Sequence, residues 1–213
     1  MKLTIFGATG RTGSHVVEQA LTAGYEVTAF VRDPAKLTAA QKHLMFVQGD
    51  ATNPDAVDRA VCGTDAVISV MGSSSTQNNS EAKPLTRATQ NIIYAMKKHG
   101  VRRLIVSSAG IHQQNDLLDI RFSILMGIGK LIMPANVEDQ IEVARTIQDS
   151  ELDWTIIRMA PSDAPKQGNA QAGYMNKSNG MFIARADAAA FILNELKEKK
   201  WLQKVPIIFN PRG

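Results

Sequence analysis

Short apolar runs alternate along the chain with stretches whose apolar residues repeat at helical spacing, and glycine or proline separates them. The runs lie at residues 4–6, 26–31, 44–48, 66–70 and 103–108. Such runs are typical of strands buried on both faces, and the stretches between them predict helices. One face of the first stretch collects Val16, Val17, Ala20 and Leu21, and Gly24 follows as a helix stop. Strands that alternate with helices predict an α/β fold, a doubly wound and mostly parallel sheet with helices on both faces.

The same alternation continues towards the C-terminus. It predicts a helix over 136–150 with Val137, Ile141 and Ala144 on one face, a strand over 154–158, a helix over 185–199 and a strand over 205–209. Residues 161–180 are polar and glycine-bearing, which predicts a mobile flap. The apolar segment 122–133 has two interpretations, a lid over a planar apolar molecule or an ordinary buried helix. Burial is preferred, because apolar stripes are usually core.

Three glycines spaced three apart follow the first run, in the sequence Phe6-Gly7-Ala8-Thr9-Gly10-Arg11-Thr12-Gly13. Glycine lets the backbone turn sharply and approach a ligand where a Cβ would clash. The N–H groups and the positive dipole end of the following helix favour a diphosphate at this turn. A purely structural turn is the competing interpretation, because the spacing is not the simplest GxGxxG fingerprint. The strand before and the helix after the turn favour a dinucleotide.

Arg32 directly follows the second run, about 20 residues beyond the glycines, where a dinucleotide-binding unit meets the adenosine ribose. An acidic residue there would accept a hydrogen bond from a free 2′-hydroxyl, whereas arginine pairs with a 2′-phosphate. NADP(H) is therefore favoured over NAD(H), with Arg11 as a second candidate phosphate contact. A solvated turn residue is the alternative for Arg32. Asp33 is expected to turn away and cap the following turn.

Asp50 follows the third run and has two candidate roles. Its carboxylate could accept a hydrogen bond from an adenine amino group, or it could cap the turn that leads to Asn53 and Pro54. Both interpretations stay open at this stage.

Composition and charge restrict the class of protein. Of the 213 residues, 44% are hydrophobic and 21% charged, as in soluble globular proteins, and the formal charge of +4 has no basic cluster that would indicate nucleic acid. Cys62 is the single cysteine and has no metal-ligand neighbours, so we expect no disulfide, no metal and a reducing cytoplasm. No apolar segment is long enough for a membrane, and Lys2 leads into the first strand without a signal peptide. One domain, residues 1–213, is expected.

Five motifs together resemble one known family. They are 6–13, Val31-Arg32-Asp33, Gly49-Asp50, His99 to Gly110 with its Ser107-Ser108 pair, and Leu152 to Arg158. In this order they are similar to atypical short-chain dehydrogenase/reductases, in particular NmrA-like NAD(P)-binding proteins and biliverdin reductase B/flavin reductase-like proteins. The resemblance covers about residues 1–160. It implies a Rossmann-like fold that often binds NADP, and either reduction of flavins, quinones or other conjugated acceptors or cofactor sensing without catalysis.

The resemblance also implies a cofactor site. Its pyrophosphate would lie on the glycine loop, at Gly7, Ala8, Thr9, Gly10, Arg11, Thr12 and Gly13, with the 2′-phosphate on Arg32. Asp50 and Ala51 would flank the adenine, Met71 and Gly72 would lie beneath the ribose, and Ser107 and Ser108 would meet the nicotinamide half. Family members often carry a proline directly after the arginine that ends the sixth strand. Met159 and Ala160 stand there instead, before Pro161, so their backbone contacts to the carboxamide depart from the pattern.

The chain departs further from the main short-chain family in its catalytic residues. That family uses a serine followed by Tyr-xxx-Lys, in which the phenol protonates a carbonyl. Tyr94 and Lys98 have this spacing but precede Ser108, and we interpret the match as coincidence. Ser108 is expected to orient the nicotinamide or the acceptor, with a strand cap as its competing role. His112 is a candidate proton donor or a surface histidine.

Two functions remain as hypotheses. The first is an NADP(H)-dependent oxidoreductase that passes hydride to a conjugated small molecule, such as a flavin or quinone, by positioning alone. The acceptor side is then expected from about 109–135 and 160–183. The second is a non-catalytic NADP-binding regulator of the NmrA-like type, which would have a protein partner. No nucleic acid or membrane partner is expected.

Overall fold

The computed structural model describes residues 1–37, 44–72, 83–108, 134–159, 161–173 and 182–211. Ten strands occur in these ranges: β1 (Lys2–Phe6), β2 (Glu26–Val31), β3 (Met45–Gln48), β4 (Ala66–Ser69), β5 (Arg103–Ser108), β6 (Asp153–Arg158), β7 (Pro161–Ser162), β8 (Gln171–Gly173), β9 (Ile183–Ala184) and β10 (Ile207–Phe209). The helices described are α1 (Arg11–Thr22), α2 (Pro54–Val61), α3 (Pro84–Lys98), α4 (Pro134–Gln148) and α5 (Arg185–Glu198).

Eight strands form one sheet, in the order β3-β2-β1-β4-β5-β6-β10-β8. β1 pairs in parallel with β2 on one side and with β4 on the other. The chain therefore moves outwards from β1 to β3, crosses back, and moves outwards again from β4. Ligands of doubly wound sheets bind at this reversal, outside the carboxyl ends of the strands.

The helices cover both faces of the sheet. One core cluster joins α2, α3 and α4 to side chains such as Phe6 and Val67, and the other joins α1 and α5 to Ile5 and Ile68. Neighbouring residues of one strand thus enter opposite cores, as the alternation of side chains along a strand requires. This arrangement confirms the predicted Rossmann-like α/β fold. Within the described ranges, no helix combines the length and the apolar character needed to cross a membrane.

Burial differs in detail from what the apolar faces of two helices indicate. Leu21 is exposed, so the buried face of α1 is narrower than predicted. Val137 and Ile141 are only partly buried, because α4 turns Asp139 and Val143 inwards instead.

The described part of the predicted flap 161–180 contains two short strands, β7 and β8. β7 pairs with β9, and β8 forms the antiparallel edge of the main sheet against β10. Between them, the Gln167 and Gly168 N–H groups donate to the buried Asp187 carboxylate, at 2.8 and 3.0 Å. These hydrogen bonds anchor the segment to α5. Residues 174–180 lie outside the described residues.

Candidate functional site

The glycine loop joins β1 to α1 in a turn that only glycine can make at two positions. Gly7 has a φ of +78°, and a Cβ on it would come within 2.9 Å of the Val70 and Met71 backbone. A Cβ on Gly13 would overlap the Gly7 carbonyl. The Gly10 N–H donates to the Gly7 carbonyl oxygen at 2.9 Å, which closes the turn. The loop therefore lies directly against the end of β4, with α1 beginning at Arg11.

A cavity of about 350 Å³ opens in front of this loop. Ten of the predicted cofactor residues line it: Gly7, Thr9, Gly10, Arg11, Thr12, Arg32, Asp50, Ala51, Met71 and Gly72. Ala8 and Gly13 do not line it. Ala8 is fully buried behind the loop, and Gly13 acts by allowing the close approach of α1.

A second cavity of about 200 Å³ lies at the carboxyl ends of β4 and β5. Ser107, Ser108 and Met159 of the predicted site line it, with Leu85, Thr89, Val106, Gln140 and Val143. Thr12, Val70, Met71 and Gly72 line both cavities, so the two spaces meet over the segment that follows β4. Together they offer a groove that crosses the reversal point of the sheet, with polar residues at one end and a mainly apolar wall at the other.

Two basic side chains stand at the far end of the larger cavity, Arg32 and Lys36. Asp33 faces away from them: its Oδ1 accepts from the Ala35 N–H at 3.0 Å and caps the short helical turn Pro34–Lys36. Neither basic side chain forms an ion pair with a carboxylate of the described residues. This is the predicted cap at Asp33. The helical turn that it caps contains Lys36, which lines the same cavity as Arg32 and was not predicted from the sequence.

Asp50 is a turn cap that also lines the larger cavity. Its Oδ1 accepts from the Thr52 N–H at 2.9 Å and from the Thr52 hydroxyl at 2.8 Å. Asp50 therefore has the capping role that the sequence left open, and it also lines the larger cavity.

Ser108 ends β5 with its hydroxyl donating to Gln140 Oε1 at 3.2 Å. Gln140 is held there by its neighbour Asp139, whose buried carboxylate accepts from the Leu85 and Thr86 N–H groups at 3.0 and 2.9 Å. Asp139 thereby fixes α4 to the first turn of α3 and places Gln140 in the wall of the smaller cavity. Sequence reasoning missed both residues, because neither lies in a motif.

A carboxylate between two arginines lies at the rim of the glycine loop. Asp163 Oδ2 accepts from Arg11 Nη1 at 3.1 Å, and its Oδ1 accepts from Arg185 Nε at 2.7 Å. The hydrogen bond from Arg185 lowers the pKa of Asp163 below its usual value. Arg185 also lines the larger cavity and was not predicted from the sequence.

The Tyr94–Lys98 spacing, interpreted above as coincidence, lies away from both cavities. Tyr94 is 68% exposed on α3, and Lys98 Nζ pairs with Asp58 Oδ1 at 2.9 Å, so neither lines a described cavity. His112, Ala160 and the apolar segment 122–133 lie outside the described residues, as does most of the predicted acceptor wall at 109–135.

Comparison with known proteins identifies the family. A model of NAD(P)H-binding proteins matches residues 7–199. The uncharacterized protein YwnB of Bacillus subtilis is 27% identical over 207 residues, which cover 92% of each protein. Matches to 3-beta-hydroxysteroid dehydrogenases from Mycolicibacterium neoaurum and Mycobacterium tuberculosis cover 51% of this chain and only about a third of the length of those proteins.

Solved structures agree over nearly the whole chain. ChuY, an anaerobilin reductase from Escherichia coli O157:H7, has a TM-score of 0.79 at 25% identity and covers 100% of this chain and 98% of its own. A short-chain dehydrogenase/reductase from Veillonella parvula, solved with NADP, has a TM-score of 0.80 at 16% identity, covering 99% and 94%, and shows the fold alone. The chain thus belongs to the NAD(P)H-binding family, and these matches support its resemblance to the atypical, NmrA-like short-chain dehydrogenase/reductases.

Proposed function

We propose that the protein is an NADP(H)-dependent oxidoreductase that reduces a conjugated small molecule of the flavin or quinone type. The observation that carries this proposal is the continuous groove, with Arg32 and Lys36 at one end and Ser108 at the other. This groove crosses the point where the strand order of the sheet reverses, which is where dinucleotides bind in this fold. The resemblance to an anaerobilin reductase supports a reductase acting on a small molecule.

The glycine loop fits a diphosphate. A Cβ on Gly7 or Gly13 would clash with neighbouring backbone and force the loop out of this conformation. The first turn of α1 supplies N–H groups without intrahelical partners. Gly7 to Gly13, with Arg11, would hold the diphosphate. Asp50 and Ala51 would border the adenine, and Met71 and Gly72 would lie beneath the sugar.

Arg32 and Lys36 would bind a 2′-phosphate. Two cations without an acidic partner among the described residues favour a phosphate over a neutral hydroxyl, and Asp33 is engaged in its cap. The structure of the Veillonella neighbour with NADP is consistent with this choice. A charge-assisted hydrogen bond contributes about 1.5–3 kcal/mol, so loss of one at this exposed site is expected to weaken NADPH binding about tenfold.

The smaller cavity would receive the nicotinamide and the acceptor. When bound, the reduced nicotinamide supplies hydride. Ser108, held by Gln140, would orient the ring or the acceptor, Met159 and Ala160 would contact the carboxamide, and Leu85, Val106 and Val143 would exclude water. His112 is proposed as a proton donor. The acceptor side would be completed by 109–135 and 160–183, within one domain formed by residues 1–213.

A non-catalytic NADP-binding regulator is the second candidate. α4, the helix that packs beside Ser108, contains neither tyrosine nor lysine, so it offers no Tyr-xxx-Lys acid. A protein that binds NADP tightly and transfers no hydride would fit this second function.

Cofactor choice is tested by titrating the protein with NADPH and NADH. We expect tighter binding of NADPH, and a preference about tenfold smaller in Arg32→Ala and in Lys36→Ala, with NADH binding unchanged. Arg59→Ala is the matched control, because Arg59 is an exposed arginine of α2 that lines neither cavity. Equal affinities in the wild type, or an Arg32→Ala variant that keeps the full preference, would contradict the 2′-phosphate site.

Hydride transfer is tested by following NADPH oxidation with a panel of flavins and quinones. The oxidoreductase predicts turnover above the uncatalysed rate for at least one acceptor, and a lower rate in Ser108→Ala. Tight NADPH binding without turnover on any acceptor favours the regulator.

A further inference from the structure

Asp163 lies between two arginines that differ in their freedom to move. The Arg185 side chain is 10% exposed and also approaches the Thr12 hydroxyl with its Nη1, at 3.5 Å. The side chains of Arg11 and Asp163 are 74% and 68% exposed. Arg185 is therefore fixed by its surroundings, while Arg11 and the Asp163 carboxylate can rearrange at little cost in packing.

Both arginines line the larger cavity beside the glycine loop. The loop amides and the two guanidinium groups thus converge on the position where the proposed diphosphate would lie. Carboxylate and phosphate oxygens are alternative partners for guanidinium groups, because both offer two acceptors in similar geometry. Asp163 satisfies with its two oxygens the same donors that a diphosphate would use.

We propose that Asp163 is an internal anion that occupies the Arg11–Arg185 pair until a diphosphate replaces it. Arg185 is then a diphosphate-binding residue, and Asp163 sets how tightly the dinucleotide binds. This inference rests on the proposed NADP(H) site. It makes the segment after β7 part of the cofactor site, because its Asp163 carboxylate competes with the diphosphate for the two arginines.

The sign of the effect follows from charge. Without ligand, two positive charges and one negative charge lie at this rim, and the negative one repels an incoming diphosphate. Asp163→Asn removes the repulsion and leaves an uncharged side chain of the same shape. For a doubly charged diphosphate within a Debye length of the lost charge in solvent-like surroundings, binding is expected to tighten about three- to tenfold, less so in high salt.

Three probes separate this site from the 2′-phosphate site. ADP carries the diphosphate alone, 2′-AMP carries the phosphate that Arg32 and Lys36 would bind, and NADPH carries both. Each is titrated by calorimetry into the wild type, Asp163→Asn and Arg185→Gln, with circular dichroism to verify folding. Asp153→Asn is the matched control, because Asp153 also forms an exposed pair with an arginine, Arg102, at 3.3 Å, but lines neither cavity.

The expected result is a three- to tenfold gain for ADP and NADPH in Asp163→Asn, no change for 2′-AMP, and no change in Asp153→Asn. Arg185→Gln is expected to weaken ADP and NADPH binding. If this substitution of a buried arginine unfolds the protein, Arg11→Gln tests the same pair at its exposed member. Unchanged or weaker ADP binding in Asp163→Asn, or an equal gain for 2′-AMP, overturns the inference while the cofactor proposal stands. If the wild type binds neither ADP nor NADPH, the cofactor proposal fails first and this inference fails with it.

Discussion

Removal of the Asp139 carboxylate is expected to destabilise the protein strongly and to loosen the wall of the smaller cavity. Asp139 is 5% exposed and accepts three hydrogen bonds at the start of α3: from the Leu85 N–H at 3.0 Å, the Thr86 N–H at 2.9 Å and the Thr86 hydroxyl at 2.6 Å. The residue before α3, Lys83, has a left-handed φ of 57° and makes no side-chain cap. The cap of α3 therefore comes from another helix.

The magnitude follows from these contacts. Asp139→Ala leaves two buried N–H groups without an acceptor, at about 1–3 kcal/mol each, so a loss of about 3–5 kcal/mol is expected. Asp139→Asn keeps one acceptor oxygen but turns an NH₂ group towards a backbone donor, and about 2–3 kcal/mol is expected. Domains unfold at about 5–15 kcal/mol, so the larger change is a large fraction of the total.

Urea unfolding followed by circular dichroism measures both losses. Glu138→Ala is the matched control, because Glu138 is the exposed neighbour of Asp139 on the same helix. The midpoint should fall at an unchanged slope, since the surface exposed on unfolding is the same. An Asp139→Ala variant within about 0.5 kcal/mol of Glu138→Ala would show that the N–H groups find other partners.

Three further changes have expected outcomes. Gly13→Ala places a Cβ against the Gly7 carbonyl, so NADPH titration and thermal melting are expected to show weaker binding and a lower Tm; wild-type affinity would contradict the close approach. Glu195→Ala leaves Arg103 buried without its 3.0 Å partner, and urea unfolding should show a loss of about 3–5 kcal/mol. Burial raises the pKa of Asp187, but the hydrogen bonds that its carboxylate accepts outweigh burial, so its pKa lies below the usual value. The stability difference between wild type and Asp187→Asn should thus be constant near neutral pH and shrink below about pH 4, whereas a difference independent of pH would contradict an ionised Asp187.

The sequence predicted the parts of the fold that depend on local pattern. The predicted strands 26–31 and 103–108 coincide with the observed β2 and β5, because each is a short, mostly buried run with glycine, proline or charged residues close to both ends. The glycine loop was predictable for the same reason, since Gly7 and Gly13 are required by backbone geometry that the spacing reflects.

What the sequence did not predict depends on contacts between distant residues. β7 and β9 have two residues each and no periodicity of their own, and they exist because they pair with each other. The link from Arg185 to Asp163 joins residues 22 apart, and that from Asp139 to Thr86 joins residues 53 apart. A polar residue that is buried by such a link looks, in the sequence, like any surface residue on a helix.

The segment shared by the two cavities has a consequence for how a long ligand would be held. Thr12, Val70, Met71 and Gly72 border both spaces, so a dinucleotide in the groove would be tethered across them. Once its adenosine half is bound, the nicotinamide half experiences an effective concentration of about millimolar. Under the proposed function, binding of the adenosine end would then keep the nicotinamide ring near Ser108. The smaller cavity would then need to supply little of the cofactor's affinity, which would leave its shape free to suit the acceptor.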